Sequence, residues 1–265
     1  MKLLFSESRP DHGHYVYPFA IWAFPEEGET PADLLAAGFL PSGHKLDRYY
    51  LCRHTRVVLK QFAATSENRR VLRKWPGVQC EAVSREDFAL SEERLAFCLS
   101  YTRSRFSGGG MSEARLRSLF ASPVTTHVLI FRRESDGREL GYVTCYREAG
   151  RALFYYYAFY SIEHVGQSLG AFMMTTAAQW CAREGIEYLY LGTCYSESAL
   201  YKTQFAGFEF FNGMRWSNSR DELKALLGRG GGDAGDGHLL EDEGFRARHL
   251  PEGLGAAAAA SRFRG

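Results

Sequence analysis

No two of the six cysteines (Cys52, Cys80, Cys98, Cys145, Cys181, Cys194) stand in a C-x-x-C pair. That scatter suits reduced thiols in a chain too large to need disulfide staples, and makes the cytosol the default compartment. Long apolar runs are missing too: nothing approaches the roughly 18 consecutive apolar residues of a membrane span. The start, MKLLFSES, offers only Leu3, Leu4 and Phe5 before Ser6 and Glu7, too short for a signal-peptide core. A cytoplasmic chain with no membrane partner is expected. Net charge is nearly absent, with 32 basic against 31 acidic residues. This excludes a uniformly basic nucleic-acid coat and an acidic solvating protein, so any polyanion must meet a local patch. No internal repeat is visible. What is present is 45% hydrophobic and 24% charged residues over 265 positions, an ordinary globular composition that excludes fibrous and disordered classes.

Along the chain, three sections are expected: residues 1–80, residues 81–227 and a tail, residues 228–265. The first holds a β-like stretch HYVYPFAIWAF. A short helix follows, with Thr30 as cap, Pro31 at its first position and Gly38 as its end, and then a strand-like YYLCRHTRVVLKQF. A basic helix over residues 67–74 closes this smaller α/β domain. The second section opens with helices capped by Ser91 and Ser112. Three β stretches follow, THVLIFRR, ELGYVTCYRE and RALFYYYAFY, the first two joined by an Asp136-Gly137 turn. Then come a long helix QSLGAFMMTTAAQWCARE ended by Gly185, a strand IEYLYLGT, a helix SESALYKTQF and a last strand FEFFNGMRW. An antiparallel meander passing into a β-α-β unit is an α+β pattern, and its order is that of the GNAT acyltransferase fold. The tail opens with GRGGGDAGDG and ends with AAAAASRFRG. It is expected to be mostly disordered, because glycine-rich chain loses much entropy on ordering and has little apolar surface to offset it.

Between positions 53 and 74 stand seven cations (Arg53, Arg56, Lys60, Arg69, Arg70, Arg73, Lys74) and one acid, Glu67. Clustered Lys and Arg are what a phosphate backbone requires, because counterion release provides most of the sequence-independent affinity. The same run also suits a solvated helix face.

Several motifs occur in a shared order. LLAAGFLPSG is followed by Cys52, Arg56, Phe62 and the helix SENRRVLRK. Next comes Tyr101-x-x-x-Arg105-Phe106-x-x-Gly109-Gly110-Met111. The segment from Tyr155 to Phe205 reads YYYAFYSIEHVGQSLGAF, EYLYLGTCYS and Tyr201-Lys202-x-x-Phe205. Over most of residues 30–227 this set resembles the aminoacyl-tRNA-protein transferases, the arginyl- and leucyltransferases that extend protein N-termini. The resemblance implies a GNAT-like fold and an enzyme that moves Arg or Leu from aminoacyl-tRNA to the N-terminus of an acceptor protein or peptide. It implies no cofactor, and a monomer is expected.

Departures from the family pattern are equally visible. Phe106 replaces a family His. The family's N-terminal cysteines, associated with metal or iron-sulfur binding, give way to His12, Gly13, His14 and Tyr15. His12, His14 and Cys52 offer at most a partial zinc-type set, and the expectation is no bound metal. The family's Y-D-P reads Tyr157-Ala158-Phe159 here, without the carboxylate. Glu163 and His164 are the nearest substitutes able to accept a proton near neutrality.

An aminoacyl ester is already activated, so attack by a free α-amine depends mainly on alignment and on donors that meet the oxyanion. On the resemblance, ester and amine are expected to meet beside Tyr157, Ser168 and Tyr201, with Tyr195 and Tyr201 donating hydrogen bonds. Lys202 is expected at the terminal phosphate or in a structural contact, and Arg105 among the substrate-binding residues. Arg69, Arg70, Arg73 and Lys74 are expected to bind tRNA. Arg53 and Arg56, three apart, point to opposite sides of a strand. Arg56, at the position that matches the family's Arg after Cys, is on the resemblance the better candidate to grip an acidic acceptor side chain. Two alternatives share the fold. One is an acyl-CoA N-acyltransferase, for which Gln167-Ser168-Leu169-Gly170 is a partial pyrophosphate loop. The other is a non-catalytic relative that binds tRNA or a peptide.

Overall fold

The computed structural model describes residues 1–7, 13, 19–106, 110–228, 240 and 242–260. At the N-terminus, β1 (Lys2–Glu7) and β2 (Phe19–Phe24) pair antiparallel. The helix α1 (Pro31–Ala36) starts where expected, with the Thr30 amide donating to Asp33 Oδ2 at 2.8 Å and Pro31 as the first helical residue. With β3 (Phe39–Pro41) and β4 (Tyr49–Leu51), these strands form a small sheet in the order β1-β2-β4-β3.

The next strand leaves that sheet. β5 (His54–Val58) is buried in the main sheet, antiparallel to two strands from far along the chain. The basic helix α2 (Ser66–Arg73) is capped by Thr65, whose hydroxyl accepts from the Asn68 amide. β6 (Val78–Ser84), a strand that the sequence pattern did not mark, follows. Helices α3 (Glu92–Arg105) and α4 (Glu113–Ala121) are capped by Ser91 and Ser112 as expected. The meander is β7 (His127–Arg133), β8 (Glu139–Glu148) and β9 (Ala152–Tyr160). Then come α5 (Leu169–Arg183), β10 (Tyr188–Thr193), β11 (Phe208–Phe211) and β12 (Trp216–Ser217). The main sheet runs β12-β11-β5-β10-β9-β8-β7-β6, with β9 and β10 parallel and every other pair antiparallel. One face is covered by α2 and α5 through Val71, Phe172, Met173 and Trp180. The other is covered by α3, α4, α1 and the small sheet through Leu95, Leu116, Phe120, Leu35 and Leu40. Each fully buried Leu or Phe in these layers contributes about 1.5–3 kcal/mol of transfer free energy.

Four expectations change. The break near residue 80 is not a break in hydrogen bonding, because β5 and β6 both belong to the main sheet. SESALYKTQF is a 3-10 segment, Glu197–Gln204, rather than an α-helix. The strand expected over residues 49–62 is interrupted at Cys52 and Arg53, where the chain passes from the small sheet to the large one. The tail, expected to be mostly disordered, holds α7 (Glu243–His249) and α8 (Leu254–Ala260), which follow α6 (Arg220–Gly228). Phe245 is buried against Phe208, Phe210 and Leu226, and the Arg215 guanidinium binds Glu252 and the His249 carbonyl. One aromatic and one long cation thus supply the contacts that composition did not suggest. The glycine-rich stretch itself lies outside the described residues.

Candidate active site

β9 and β10 pair over only three positions, Tyr188 opposite Ala152 through Tyr190 opposite Phe154. Beyond them β10 stays with β5 and β9 stays with β8, so the two parallel strands splay at their carboxyl ends. α5 begins at this opening. Its cap residue, Ser168, is left-handed (φ 66°, ψ 22°) and makes no side-chain capping bond. A left-handed serine costs about 1 kcal/mol or more, and it leaves the first amides of α5 aimed into the gap. The result is a cleft of about 480 Å³. Its wall holds Tyr101 and Arg105 from α3, Tyr155, Ala158 and Tyr160 from β9, His164, and Ser168 to Ala171 at the head of α5, with Met174 and Tyr201. Gly170 lets the wall close: a Cβ there would stand 3.0 Å from Tyr160 Cε1.

Of the residues singled out in the sequence, Arg105, His164, Ser168 and Tyr201 line this cleft, and so does Ala158, where the family carboxylate is absent. Tyr157 does not. The pairing of β9 with β8 jumps from Tyr155 opposite Cys145 to Tyr157 opposite Thr144, leaving Tyr156 as an extra residue. That bulge reverses the alternation of faces. Tyr155 and Ala158 lie on the cleft side, while Tyr156 and Tyr157 both pack on the α3/α4 side. Strict alternation from Tyr155 would have placed Tyr157 in the cleft and Ala158 outside it. Tyr155 is the residue that the sequence pattern did not single out: its hydroxyl is buried in the cleft wall with no hydrogen-bond partner among the described residues. Burial holds that phenol well above its ordinary range, so it remains a donor. Tyr201 is half exposed, and desolvation raises its phenol in the same direction.

Tyr195 and Lys202 are structural contacts. The Arg53 amide donates to the Tyr195 hydroxyl at 2.6 Å, and Lys202 Nζ donates to the Thr193 carbonyl at 2.6 Å, securing the end of β10. Burial lowers the Lys202 ammonium below its usual value. Arg56 is also committed elsewhere. It donates to Glu209 at 2.7 Å, lies 4.1 Å from the Tyr188 ring centroid and 3.8 Å from that of Trp216, and its side chain is 7% exposed. An acceptor carboxylate cannot reach it. Arg53 precedes β5 and lies over the Tyr195 ring. Glu163 is paired with Arg138 at 2.7 Å. His164 lines the cleft edge-on to Trp75, with both ring nitrogens buried and unpartnered among the described residues.

The basic helix adjoins the cleft, which its distance in sequence did not reveal. Lys74 Nζ donates to Ser168 Oγ at 3.2 Å, and the Trp75 indole donates to the Gln167 carbonyl at 3.2 Å. Arg70 is paired with Glu67 at 2.7 Å, Arg69 donates to the Ala64 carbonyl, and Arg73 has no acidic partner among the described residues. Cys52 is buried, and burial pushes its thiol up to about 12, so it stays protonated near neutrality. His12 and His14 lie outside the described residues.

The order of motifs has counterparts in known proteins. Residues 93–212 match the family model for the C terminus of arginine-tRNA-protein transferase. An aspartate/glutamate leucyltransferase of Cereibacter sphaeroides is 27% identical over 190 residues, covering 66% of this chain and 67% of that one. The one from Xanthomonas euvesicatoria is 28% identical over 182 residues, covering 62% and 68%. Among solved structures, FemX overlaps 61% of this chain and 59% of its own at 12% identity and a TM-score of 0.40. L-PGS from Bacillus licheniformis overlaps 54% and 46% at 16% identity and a TM-score of 0.37.

Proposed function

We propose that the chain, similar over residues 93–212 to the C terminus of arginine-tRNA-protein transferase and along most of its length to leucyltransferases, is an aminoacyl-tRNA-protein transferase that moves leucine from leucyl-tRNA to protein N-termini that begin with Asp or Glu. The names of its leucyltransferase relatives support both the amino acid and the acceptor. The observation that carries the choice of leucine over arginine is the lining of the cleft. Met174, Leu169, Ala158, Ala171 and the tyrosine rings offer an apolar wall, and no acidic side chain lines the cleft among the described residues. The one permanent charge among them is Arg105, so an arginyl guanidinium would be buried without a partner and beside a like charge.

In this reading the acceptor end of the tRNA enters past α2, with Lys74 and Arg73 facing its terminal phosphates. The ester carbonyl lies against the first amides of α5, which meet the negative charge that develops on its oxygen. The Tyr155 and Tyr201 hydroxyls donate to that oxyanion or to the departing ribose oxygen. The amine nitrogen attacks, the carbon–oxygen ester bond breaks, and the ribose hydroxyl leaves with a proton. Alignment does most of the work, which is how a chain with Ala158 in place of a carboxylate remains competent. No helix among the described residues is long and apolar enough to cross a membrane, and the proposed setting is the cytoplasm.

The test is transfer of labelled Leu or Arg from charged tRNA to peptides beginning with Asp, Glu, Lys or Arg, run beside an acetyl-CoA assay. Leucine on Asp- and Glu-initial peptides is expected. Arginine transfer would overturn the amino-acid assignment, acetyl transfer alone would favour a conventional acyltransferase, and no transfer would leave a binding relative.

A further inference from the structure

The stretch LLAAGFLPSG ends in a turn that the chemistry above does not use. Between β3 and β4 the chain folds back on itself, with the Ser42 amide donating to the Arg48 carbonyl at 3.0 Å and Leu46 in a left-handed conformation (φ 62°) that sends its side chain into the core. This turn is pinned to the α4 layer, where the Val124 amide donates to the His44 carbonyl at 3.2 Å. Turn and helix enclose an open cavity of about 770 Å³, larger than the cleft, lined by His44, Lys45, Arg48, Arg115, Ser118 and Tyr156 among others. Three permanent cations face one acid, Asp47. Arg48 is held against Ser42 and the Trp22 ring. Lys45 and Arg115 have no acidic partner among the described residues. Burial, together with the neighbouring charge of Arg115, keeps His44 below its usual value. Two cations from separate elements therefore converge, without a bound acid among the described residues, on a preformed hollow with the hydroxyls of Ser42, Ser118 and Tyr156 around it.

We infer that this cavity binds the carboxylates of the acceptor polypeptide's first residues, with Arg115 and Lys45 as specificity-determining side chains. This rests on the acidic-acceptor reading above and adds to the N-terminal Asp or Glu a second acid, a few residues further along the acceptor. The position favours a peptide over RNA. The cavity opens on the α4 side of the main sheet, whereas the cations of α2 and the amides of α5, which suit phosphate, lie on the other side. Tyr156 lines the cavity on one face of β9 and Ala158, two residues on, lines the cleft on the other, beside the gap where β9 and β10 part. Along the strand that interval is roughly 7 Å, and passage from one face to the other lengthens it, so an extended peptide spans it in roughly three residues or more. An acceptor with an acid a few residues after its N-terminus can thus seat that carboxylate on Arg115, where a guanidinium forms two parallel hydrogen bonds, while its α-amine reaches the splayed strands.

The experiment compares binding of three fluorescent probes to the full chain and its variants. They are a short peptide with a free N-terminus and acidic first residues, its counterpart with Asn and Gln in place of Asp and Glu, and an RNA minihelix carrying the acceptor end of a tRNA. Arg115→Ala and Lys45→Ala are each expected to weaken the acidic peptide roughly 10-fold or more, with Arg115→Lys intermediate, and to leave the amide peptide and the RNA within about twofold. Both side chains are exposed, so unchanged melting temperatures are expected as a control. Equal binding of acidic and amide peptides by the unmodified chain overturns the inference. So does a loss confined to RNA, which would give the cavity to the nucleic acid. A chain that binds acidic peptides through Arg115 yet transfers no amino acid keeps the cavity and loses the transferase reading. A chain that transfers leucine without regard to Arg115 does the reverse.

Discussion

At the scale of single residues, the cleft separates groups that act on substrate from groups that hold the walls. Tyr201→Phe removes a donor from the rim without disturbing packing, because its ring is half exposed. It is expected to slow leucine transfer roughly 10-fold or more while leaving RNA binding unchanged. Ala158→Asp restores a carboxylate on the cleft face of β9, beside the incoming ammonium. A higher rate near neutrality and a lower pH optimum are expected; a pH–rate profile identical to that of the unmodified chain would move the chemistry elsewhere. Arg56 behaves in the opposite way. Its side chain is buried between two rings and paired with Glu209, so Arg56→Ala is expected to cost about 3 kcal/mol of stability by stranding a carboxylate and opening a cavity. Denaturant unfolding measures that loss, and equal damage to acidic and neutral acceptors would accompany it. A selective loss of acidic acceptors in a fully stable Arg56→Ala would restore Arg56 to the site.

At the scale of elements, α2 is a helix whose position gives meaning to its charge. Capped at Thr65 and anchored by Val71, it ends with Lys74 against the cap of α5. Arg70 and Arg73 occupy neighbouring positions on its outer surface. Charge reversal at both is expected to weaken tRNA binding and to flatten its dependence on salt, by roughly one unit of log-log slope for each phosphate that is no longer neutralised. Titrations at several salt concentrations read this directly, and an unchanged slope would reduce the helix to a solvated face. Arg70 already shares its charge with Glu67, so Arg73 is expected to account for the larger part of the effect.

For the molecule as a whole, the insertion of β5 ties the N-terminal part to the sheet and creates a pH-sensitive core. His54 is fully buried among Tyr190, Phe211 and Trp216, and burial, aided by Arg56, depresses its imidazole to about 3. In the unfolded chain the same group titrates near 6.5. Above pH 6.5 both states are neutral and stability is unaffected. As pH falls below that value, the unfolded state takes up a proton that the folded state refuses, and stability declines by up to about 1.4 kcal/mol per pH unit toward pH 3. Unfolding measured at several pH values is expected to show this slope in the unmodified chain and a shallower one in His54→Phe. Equal slopes would show that other groups govern the acid limb.

What the sequence by itself determined was local. Ser91 and Ser112 mark helix starts because a hydroxyl can satisfy an orphan amide only there. The apolar runs over residues 127–160 and 188–193 mark strands of the main sheet, and the order of motifs marks the family. These signals depend on neighbours a few positions apart. Which side chains share the cleft depended instead on events that no periodicity records. One extra residue at Tyr156 exchanged the faces of Tyr157 and Ala158. The pairing of β5 with β10 and β11 enclosed Arg56 with Glu209 and removed it from substrate. The packing of α2 on α5 brought Lys74 to Ser168, 94 positions away. Phe245 found a pocket on β11 and α6, and so ordered a segment whose composition predicted disorder. Bulges, strand insertion and long-range docking are chosen by the fit of whole surfaces, and that fit exists only once the chain has closed on itself.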